Sequence, residues 1–317
     1  MHGSRSPVSL ALPCLTRRTL LGAAPLLPLL WSKAAVATAA AAIYRVGAFE
    51  VEPLDDGMFP LEPSMIPAAD SEAGRALLTA AGLPPNGPSP EPVNAFLVRR
   101  GTRLCLADAG CGTLFGPDLG RMPTALSARG IDPSRIDAVW LTHLHVDHAG
   151  GLLLPGGAAR FPNAEIVVQD AEAVYWSDPA SRSRAPAEMG PFFDTALAVL
   201  AAYAGRIRRV TGHADLMPGV TSVPLPGHTP GHAGLLFEDG GQRLLVWGDV
   251  IHSRILQIPH PDWSVIWDLD PAEALATRRR VLDRAVVEGL AVAGMHLTNR
   301  GHIERSGAGY AFIASPP

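Results

Sequence analysis

Residues 143–148 read His-Leu-His-Val-Asp-His, which sets three imidazoles and a carboxylate within six residues. Neutral imidazole nitrogen and anionic carboxylate oxygen are the ligand types that suit zinc and neighbouring first-row metals. A lone histidine is ordinarily a surface or core residue. Four ligand-type side chains this close together, followed by Gly150-Gly151, point to a metal site instead. The apolar run Ile136 to Leu141 predicts a buried strand, so the cluster falls in the loop at that strand's end. Further candidates are His228 and His232 in Gly227-His228-Thr229-Pro230-Gly231-His232, Asp249 directly after Gly248, and His296. Each follows an expected strand. A fold that gathers its strand ends on one edge would gather these residues together. Taken singly, Asp249 could cap a turn and His296 could be a core histidine. His213 and His260 fit no pattern and read as surface residues. No G-x-S-x-G segment supports a serine nucleophile.

The elements that must position these residues follow from periodicity. Residues 43–52 read as a first strand. Residues 53–92 carry nine prolines and little periodicity, which predicts a long irregular loop serving as a lid, with Met58, Phe59, Met65 and Ile66 as its apolar members. Val93 to Val98 and Arg103 to Ala107 flank Gly101 as a hairpin. Met122 to Ala128 reads as a short helix with Pro123 in its first turn. Ala164 to Val168 is a strand followed by a short helix, and Phe192 to Tyr203 is amphipathic. Strands are expected at Val220–Leu225, Leu235–Phe237, Leu244–Trp247 and Leu290–Ala293. Asp270-Pro271-Ala272-Glu273 has the cap, first-turn proline and acidic residue of a helix start, for a helix running to about Glu288. Strands and helices alternate in two similar halves, which suggests sheets covered by helices in one domain.

Apolar residues make up 47% of the 317 and charged residues 18%, enough for a sizeable core and too few charges for a disordered chain. A net charge of −4 favours neither nucleic acid nor an anionic membrane surface. At the N-terminus, Arg17-Arg18 precede an apolar stretch from Leu20 to Trp31 and then the small residues Ala35-Val36-Ala37. This pattern predicts a twin-arginine-type export signal over residues 1–39, a mature domain over 40–317 and a periplasmic location. An apolar run of about twelve residues is too short to span a bilayer, which needs roughly twenty, so no stable membrane insertion is expected. Cys14 lies in that signal. Cys105 and Cys111 could pair in an oxidising compartment, but one falls mid-strand and the other in a loop, so two free thiols are expected.

Taken together, the HxHxDH cluster, the GHTPGH segment, the Gly-Asp after a strand and the late histidine resemble the metallo-β-lactamase fold superfamily. Leu106-Ala107-Asp108-Ala109-Gly110, Leu114-Phe115-Gly116-Pro117, Phe161-Pro162-Asn163-Ala164 and Gly301-His302-Ile303 look like its methyl parathion hydrolase branch, close to quorum-quenching lactonases. The resemblance implies an α+β fold, a four-layer αββα sandwich with a metal site at one edge. It implies that His143, His145 and His228 bind a first metal, that Asp147, His148 and His296 bind a second, and that Asp249 bridges both. Asp108 and His232 would orient ligands. A carboxylate bridge with two three-residue sets suits cations about 3.5–4 Å apart. Trp176, Phe192 and Phe193 match a region that lines the pocket in that branch, with core packing the alternative for each. Lactonases of the superfamily often carry a tyrosine three residues after the bridging aspartate, where this chain has His252. That histidine could assist a departing oxygen or simply fill space.

The expected function is therefore a dinuclear metallohydrolase holding two divalent cations, with zinc the metal its donor set favours. It would use a bridging hydroxide oriented by Asp147 to cleave neutral, hydrophobic small-molecule lactones or esters. Phosphotriester hydrolysis is the alternative reaction. A non-catalytic exported metal-binding protein is the alternative of another class. Association as a homodimer is left open.

Overall fold

The computed structural model of the protein describes residues 43–116 and 118–315. The expected export signal at residues 1–39 lies outside the described residues, as does Pro117 of the Leu114–Pro117 segment.

Fourteen strands among the described residues form two seven-stranded sheets, each in sequential order. The first holds β1 (Tyr44–Val46), β2 (Phe49–Leu61), β3 (Ser89–Arg100), β4 (Arg103–Ala107), β5 (Ala138–Trp140), β6 (Glu165–Gln169) and β7 (Ile207–Val210). The second holds β8 (Ala214–Met217), β9 (Val220–Pro224), β10 (Ala233–Asp239), β11 (Gln242–Val246), β12 (Ala291–Ala293), β13 (Gly301–Ser306) and β14 (Gly309–Ala314). The helices are α1 (Glu72–Ala80), α2 (Met122–Ser127), α3 (Val146–Ala149), α4 (Asp170–Ser177), α5 (Pro179–Arg184), α6 (Gly190–Ala202), α7 (Arg254–Gln257) and α8 (Pro271–Glu288). Both sheets begin as antiparallel meanders. The first then runs parallel from β4 through β7, and the second has one parallel pair, β11 with β12.

Side-chain alternation along the strands assigns the layers. Phe96 and Val98 of β3, Cys105 of β4 and Trp140 of β5 pack against Leu235, Phe237, Leu244 and Val246 of the second sheet. Their neighbours Leu97, Leu106 and Val139 face the other way, against Trp176, Phe193, Ala196 and Val199 of α4 and α6. Leu236, Leu245 and Val292 pack on Val281, Leu282 and Ala285 of α8. Helix, sheet, sheet and helix thus make the four-layer αββα sandwich expected from the motifs. The α8 start is as read: Asp270 accepts a hydrogen bond from the Glu273 amide, and Pro271 needs no amide partner there. Cys105 and Cys111 are buried free thiols.

The segment 53–92 is not an irregular loop, and this corrects the expectation. β2 and β3 continue past the sheet as a two-stranded ribbon, joined by two short 3-10 turns and α1. The prolines that read as breakers are accommodated one by one. Pro60 and Pro90 stand opposite each other, a pairing in an antiparallel ladder where neither amide is called for. Pro63 and Pro67 begin the 3-10 turns. The ribbon's apolar residues are spent on packing: Leu61, Ile66 and Leu78 form a satellite core with Leu256, Trp263 and Val265. Residues 43–52 likewise form two strands with a turn at Gly47, not one. The short strands β7, β8, β13 and β14 were not anticipated. β7 reads Ile-Arg-Arg-Val and β13 Gly-His-Ile-Glu-Arg-Ser, sequences too charged to show an apolar period.

Candidate metal centre and substrate cavity

The parallel pairs bring the chemistry together. Asp108 follows β4, the His143–His148 cluster follows β5, Asp249 follows β11 and His296 follows β12. The β9–β10 turn adds His228 and His232 at the same edge. Two groups result. One ligand atom each from His143, His145, His228 and Asp249 lie within 4.8 Å of one another, as do those of Asp147, His148, Asp249 and His296. Asp249 belongs to both.

The Asp249 Oδ2 atom is the centre of the arrangement. It lies 3.2 Å from His148 Nε2, 3.3 Å from His296 Nε2, 3.4 Å from His228 Nε2 and 3.7 Å from His143 Nε2. The Nε2 atoms of His143, His145 and His148 and the Oδ1 of Asp249 are buried without any hydrogen-bond partner. Buried polar atoms are almost always satisfied. Unpartnered Nε2 atoms of His143 and His148 converging on Asp249 fit a pair of cations in a way that a packed core does not.

Protonation agrees with that fit. Burial, and next the neighbouring imidazole of His148 or His228, hold His143 and His145 well below the usual histidine range, in the neutral form that ligates. Burial opposes the charge of Asp147 and Asp249, but His148 beside them keeps both carboxyls well below the usual range. Against their own burial, His148 is raised by Asp249 and Asp147, and His296 is raised to about 9 by Asp249. Metal binding has to displace those two protons.

Every ligand ring except that of His145 is aimed by a partner on its other nitrogen. His148 Nδ1 meets Asp108 at 2.7 Å, and Asp108 also accepts from the amide and hydroxyl of Thr142 at 2.7 Å each. Asp108 has a φ of 57°, a sparsely populated conformation for a non-glycine residue, held here by those bonds. His296 Nδ1 donates to the Pro92 carbonyl at 2.9 Å. His232 does not face the shared centre. Its Nδ1 donates to Leu225 O at 2.8 Å and its Nε2 accepts the Asp249 amide at 2.9 Å, which fixes the backbone that carries the carboxylate. Gly248 must be glycine for this contact. Its φ is +58°, and a Cβ there would meet His232 Nε2 at 2.5 Å.

Two carboxylates here escaped the sequence reading. Asp268 meets His228 Nδ1 at 2.9 Å and the buried Arg278 at 3.3 Å; burial pushes its pKa up, and these partners overcome that and hold it at about 2. Glu172, fully buried on α4, accepts from Leu144 N at 2.9 Å, Trp176 Nε1 at 2.6 Å, Thr229 Oγ1 at 2.6 Å and Gly231 N at 2.9 Å. It therefore ties the loop after β5 to the turn between β9 and β10. Neither had a local motif, because the bonds that tie each to the ligand loops come from residues at least 28 positions away.

A cavity of about 170 Å³ opens onto the centre. His145, Asp147, His228, Asp249, His252 and His296 form its polar end, and none of its lining residues is Lys or Arg. Phe59 and Trp267 meet edge to face at 5.7 Å, as do Phe115 and Phe192 at 6.3 Å, and these rings form apolar walls. Phe59 and Phe192 thus stand at the cavity, as read. Trp176 and Phe193 do not. They are fully buried between α4, α6 and the first sheet, where Trp176 backs the His145 ring at 5.4 Å. Trp267 was missed. His252 is at the cavity, with Nε2 3.2 Å from Asp249 Oδ2, its ring stacked on His296 at 5.2 Å and Nδ1 unpartnered. On either side of Phe115 the chain is tied to β2, where the buried Asp56 carboxylate, at a bulge over Asp55–Gly57, accepts the amides of Cys111, Gly120 and Met122. No described helix is long and apolar enough to cross a membrane.

The family model described as metallo-beta-lactamase superfamily matches residues 88–296. A solved structure titled hydrolase AbOPH in the beta lactamase superfamily aligns with a TM-score of 0.80 at 28% identity, covering 87% of this chain and 98% of that one. AidC, a dizinc quorum-quenching lactonase solved with a product homoserine, aligns with a TM-score of 0.80 at 24% identity, over 87% of this chain and 97% of that one. That second likeness carries the fold alone. A probable metallo-hydrolase of Mycobacterium tuberculosis is 30% identical over 185 residues, 51% of this chain and 57% of that protein. An N-acyl homoserine lactonase of a Bacillus species is 32% identical over 118 residues, 37% of this chain and 39% of that protein. The match therefore spans little more than half the length of the mycobacterial relative.

Proposed function

This chain belongs to the metallo-β-lactamase superfamily, and on that premise we propose that it is a dinuclear metal-dependent hydrolase of neutral lactones or esters. The observation that carries the proposal is Asp249 Oδ2, one carboxylate oxygen shared by two sets of ligand atoms, among which the buried Nε2 atoms of His143 and His148 have no hydrogen-bond partner. The nitrogen-rich donor set favours zinc. When bound, such a pair lowers the pKa of water and offsets negative charge growing on a substrate oxygen.

The chain's own residues do the rest. His143, His145 and His228 with Asp249 would hold one cation, and Asp147, His148 and His296 with Asp249 the other. Asp147 lies on the cavity wall, 3.3 Å from His148 and 3.6 Å from His296, and orients the attacking water. Phe59, Trp267, Phe115 and Phe192 exclude bulk water and favour an uncharged, apolar substrate. The absence of Lys and Arg from the lining disfavours phosphate monoesters. A neutral phosphotriester meets the same walls, which is why that reaction stands as the second reading.

The test is metal content followed by turnover. Elemental analysis is expected to give close to two zinc ions per chain. The loaded protein is expected to hydrolyse γ-lactones or aryl esters at least about a hundredfold faster than β-lactams. A dimetal protein inert to lactones, esters and phosphotriesters alike would reject the hydrolase reading in favour of non-catalytic metal binding.

His252 refines the reaction. Burial holds it down at about 4 against the pull of Asp249, so a neutral ring faces the cavity at neutral pH. We propose that it donates a hydrogen bond to the departing oxygen. His252→Ala is then expected to lower kcat about tenfold or more for alkoxide leaving groups, and much less for nitrophenolate, which departs unaided. Equal losses for both leaving groups, measured on one acyl series, would exclude that role.

A further inference from the structure

The connection between β11 and α8, residues 247–270, supplies three groups around the centre besides Asp249. His252 and Trp267 stand at the cavity, and Asp268 stands against His228. A side chain of α8 holds this connection in shape. Arg278 is 1% exposed. Its Nε donates to the Val250 carbonyl at 2.7 Å, its Nη1 to the Pro261 and Trp263 carbonyls at 3.1 Å each, and its Nη2 to Asp268 Oδ2 at 3.3 Å. Four of the five guanidinium donors are thus spent on one stretch of chain. The Trp263 carbonyl also accepts from Gln257 Nε2 at 2.9 Å, and Gln257 Oε1 accepts the amides of His252 at 2.7 Å and Ser253 at 3.2 Å.

A guanidinium bonded to carbonyls alone would be a loop anchor. Here the fourth bond ends on the carboxylate whose other oxygen lies 2.9 Å from His228 Nδ1, so Arg278 reaches a metal-ligand ring through one intermediate. His228 belongs to one of the two ligand sets. The rings of the other set are aimed from outside this connection, His148 by Asp108 and His296 by the Pro92 carbonyl. Asp249, common to both sets, has its amide held separately by His232. The residue before Asp268 is Trp267, which meets the Phe59 ring at 5.7 Å and the His252 ring at 6.1 Å. Whatever fixes Asp268 therefore also fixes that wall of the cavity.

We propose that Arg278 is a positioning residue with two outputs: through Asp268 it sets the His228 ring for the cation held by His143, His145 and His228, and through the same carboxylate it holds Trp267 against the substrate. The inference rests on the dinuclear hydrolase reading and adds an inequality to it. Loss of Arg278 loosens one cation and one cavity wall, while the cation of Asp147, His148 and His296 keeps its ligands. Lysine does not substitute, because an ammonium lacks the planar fork that reaches Val250 and Asp268 together.

The experiment titrates the zinc-loaded protein with a chelator, counts zinc released per chain, and measures KM for a bulky aryl ester and for γ-butyrolactone at saturating zinc. Arg278→Met is expected to weaken one of the two zinc ions by about ten- to a hundredfold, the usual size of a lost partner behind a ligand, and to leave the other within about twofold of wild type. KM for the aryl ester is expected to rise about tenfold, and that for the smaller lactone much less. Arg278→Lys, which keeps the charge, and Asp268→Asn, which keeps the shape, are expected to weaken the same ion, and they carry the comparison if Arg278→Met does not fold. Combined with His296→Ala, Arg278→Lys is expected to weaken the remaining ion; combined with His143→Ala it is not. Equal weakening of both ions, weakening of neither, or a lowered Tm with an unchanged zinc titration overturns the proposal and leaves the hydrolase reading intact. Unequal release from a dizinc protein that hydrolyses nothing supports the positioning role and rejects the hydrolase reading. A wild-type chain that holds fewer than two zinc ions overturns both.

Discussion

Replacing Asp249 with alanine is expected to reduce bound metal from two ions per chain to at most one and to cut kcat/KM by about a thousandfold or more. At 1.4 kcal/mol per decade, that is on the order of 4 kcal/mol of lost transition-state stabilisation. The reason is geometric. Asp249 Oδ2 is within 3.7 Å of Nε2 on His143, His148, His228, His252 and His296, and it is the only protein anion common to both ligand sets. Without it, two cations would face one another across a cluster of neutral rings with Asp147 as the sole remaining carboxylate among the ligands. Asp249→Asn separates charge from shape. It keeps the side-chain volume and one oxygen, and it is expected to retain more metal than alanine but far less than wild type. Elemental analysis and kinetics on the same samples read both quantities. Two ions and near-normal turnover in Asp249→Ala would end the dinuclear reading.

Glu172→Ala is expected to cost on the order of 4 kcal/mol of stability, and so to lower Tm by roughly 10 °C. Four donors converge on this carboxylate, and four is about its full acceptor capacity. Alanine would strand two buried backbone amides, an indole N–H and a hydroxyl where solvent cannot reach. Glu172→Gln is expected to fall between, because its NH2 group must face donors where an oxygen stood. The bonds join the His143–His148 loop to the His228–His232 turn, so bound metal, which spans the same loops, should offset part of the loss. The comparison is thermal melting of wild type and variant, each with and without zinc. A shift below about 2 °C in the metal-free pair would show that the two loops hold together without Glu172.

The seven metal-ligand candidates were legible because their signals are local. Histidines and aspartates cluster within six residues, or directly follow an apolar run that must be a strand, and a strand end is a place the chain cannot bury without purpose. The family resemblance rests on the same short segments, and the four-layer sandwich comes with it. The α8 cap was legible for a similar reason, since a helix start is decided by residues three apart. What the tertiary structure alone decided has partners far along the chain. Asp56, Glu172 and Asp268 are single carboxylates with no motif around them. They become significant only when a donor 28 to 66 residues away is brought to hydrogen-bonding distance. The ribbon over residues 49–100 was hidden because proline breaks a sequence pattern everywhere, but breaks a ladder only where an amide is needed. Phe59 and Phe192 reach the cavity while Trp176 and Phe193 pack behind it, because the sequence shows that an aromatic side chain is apolar, and only the packing of α4 and α6 on the first sheet determines which apolar surface it meets.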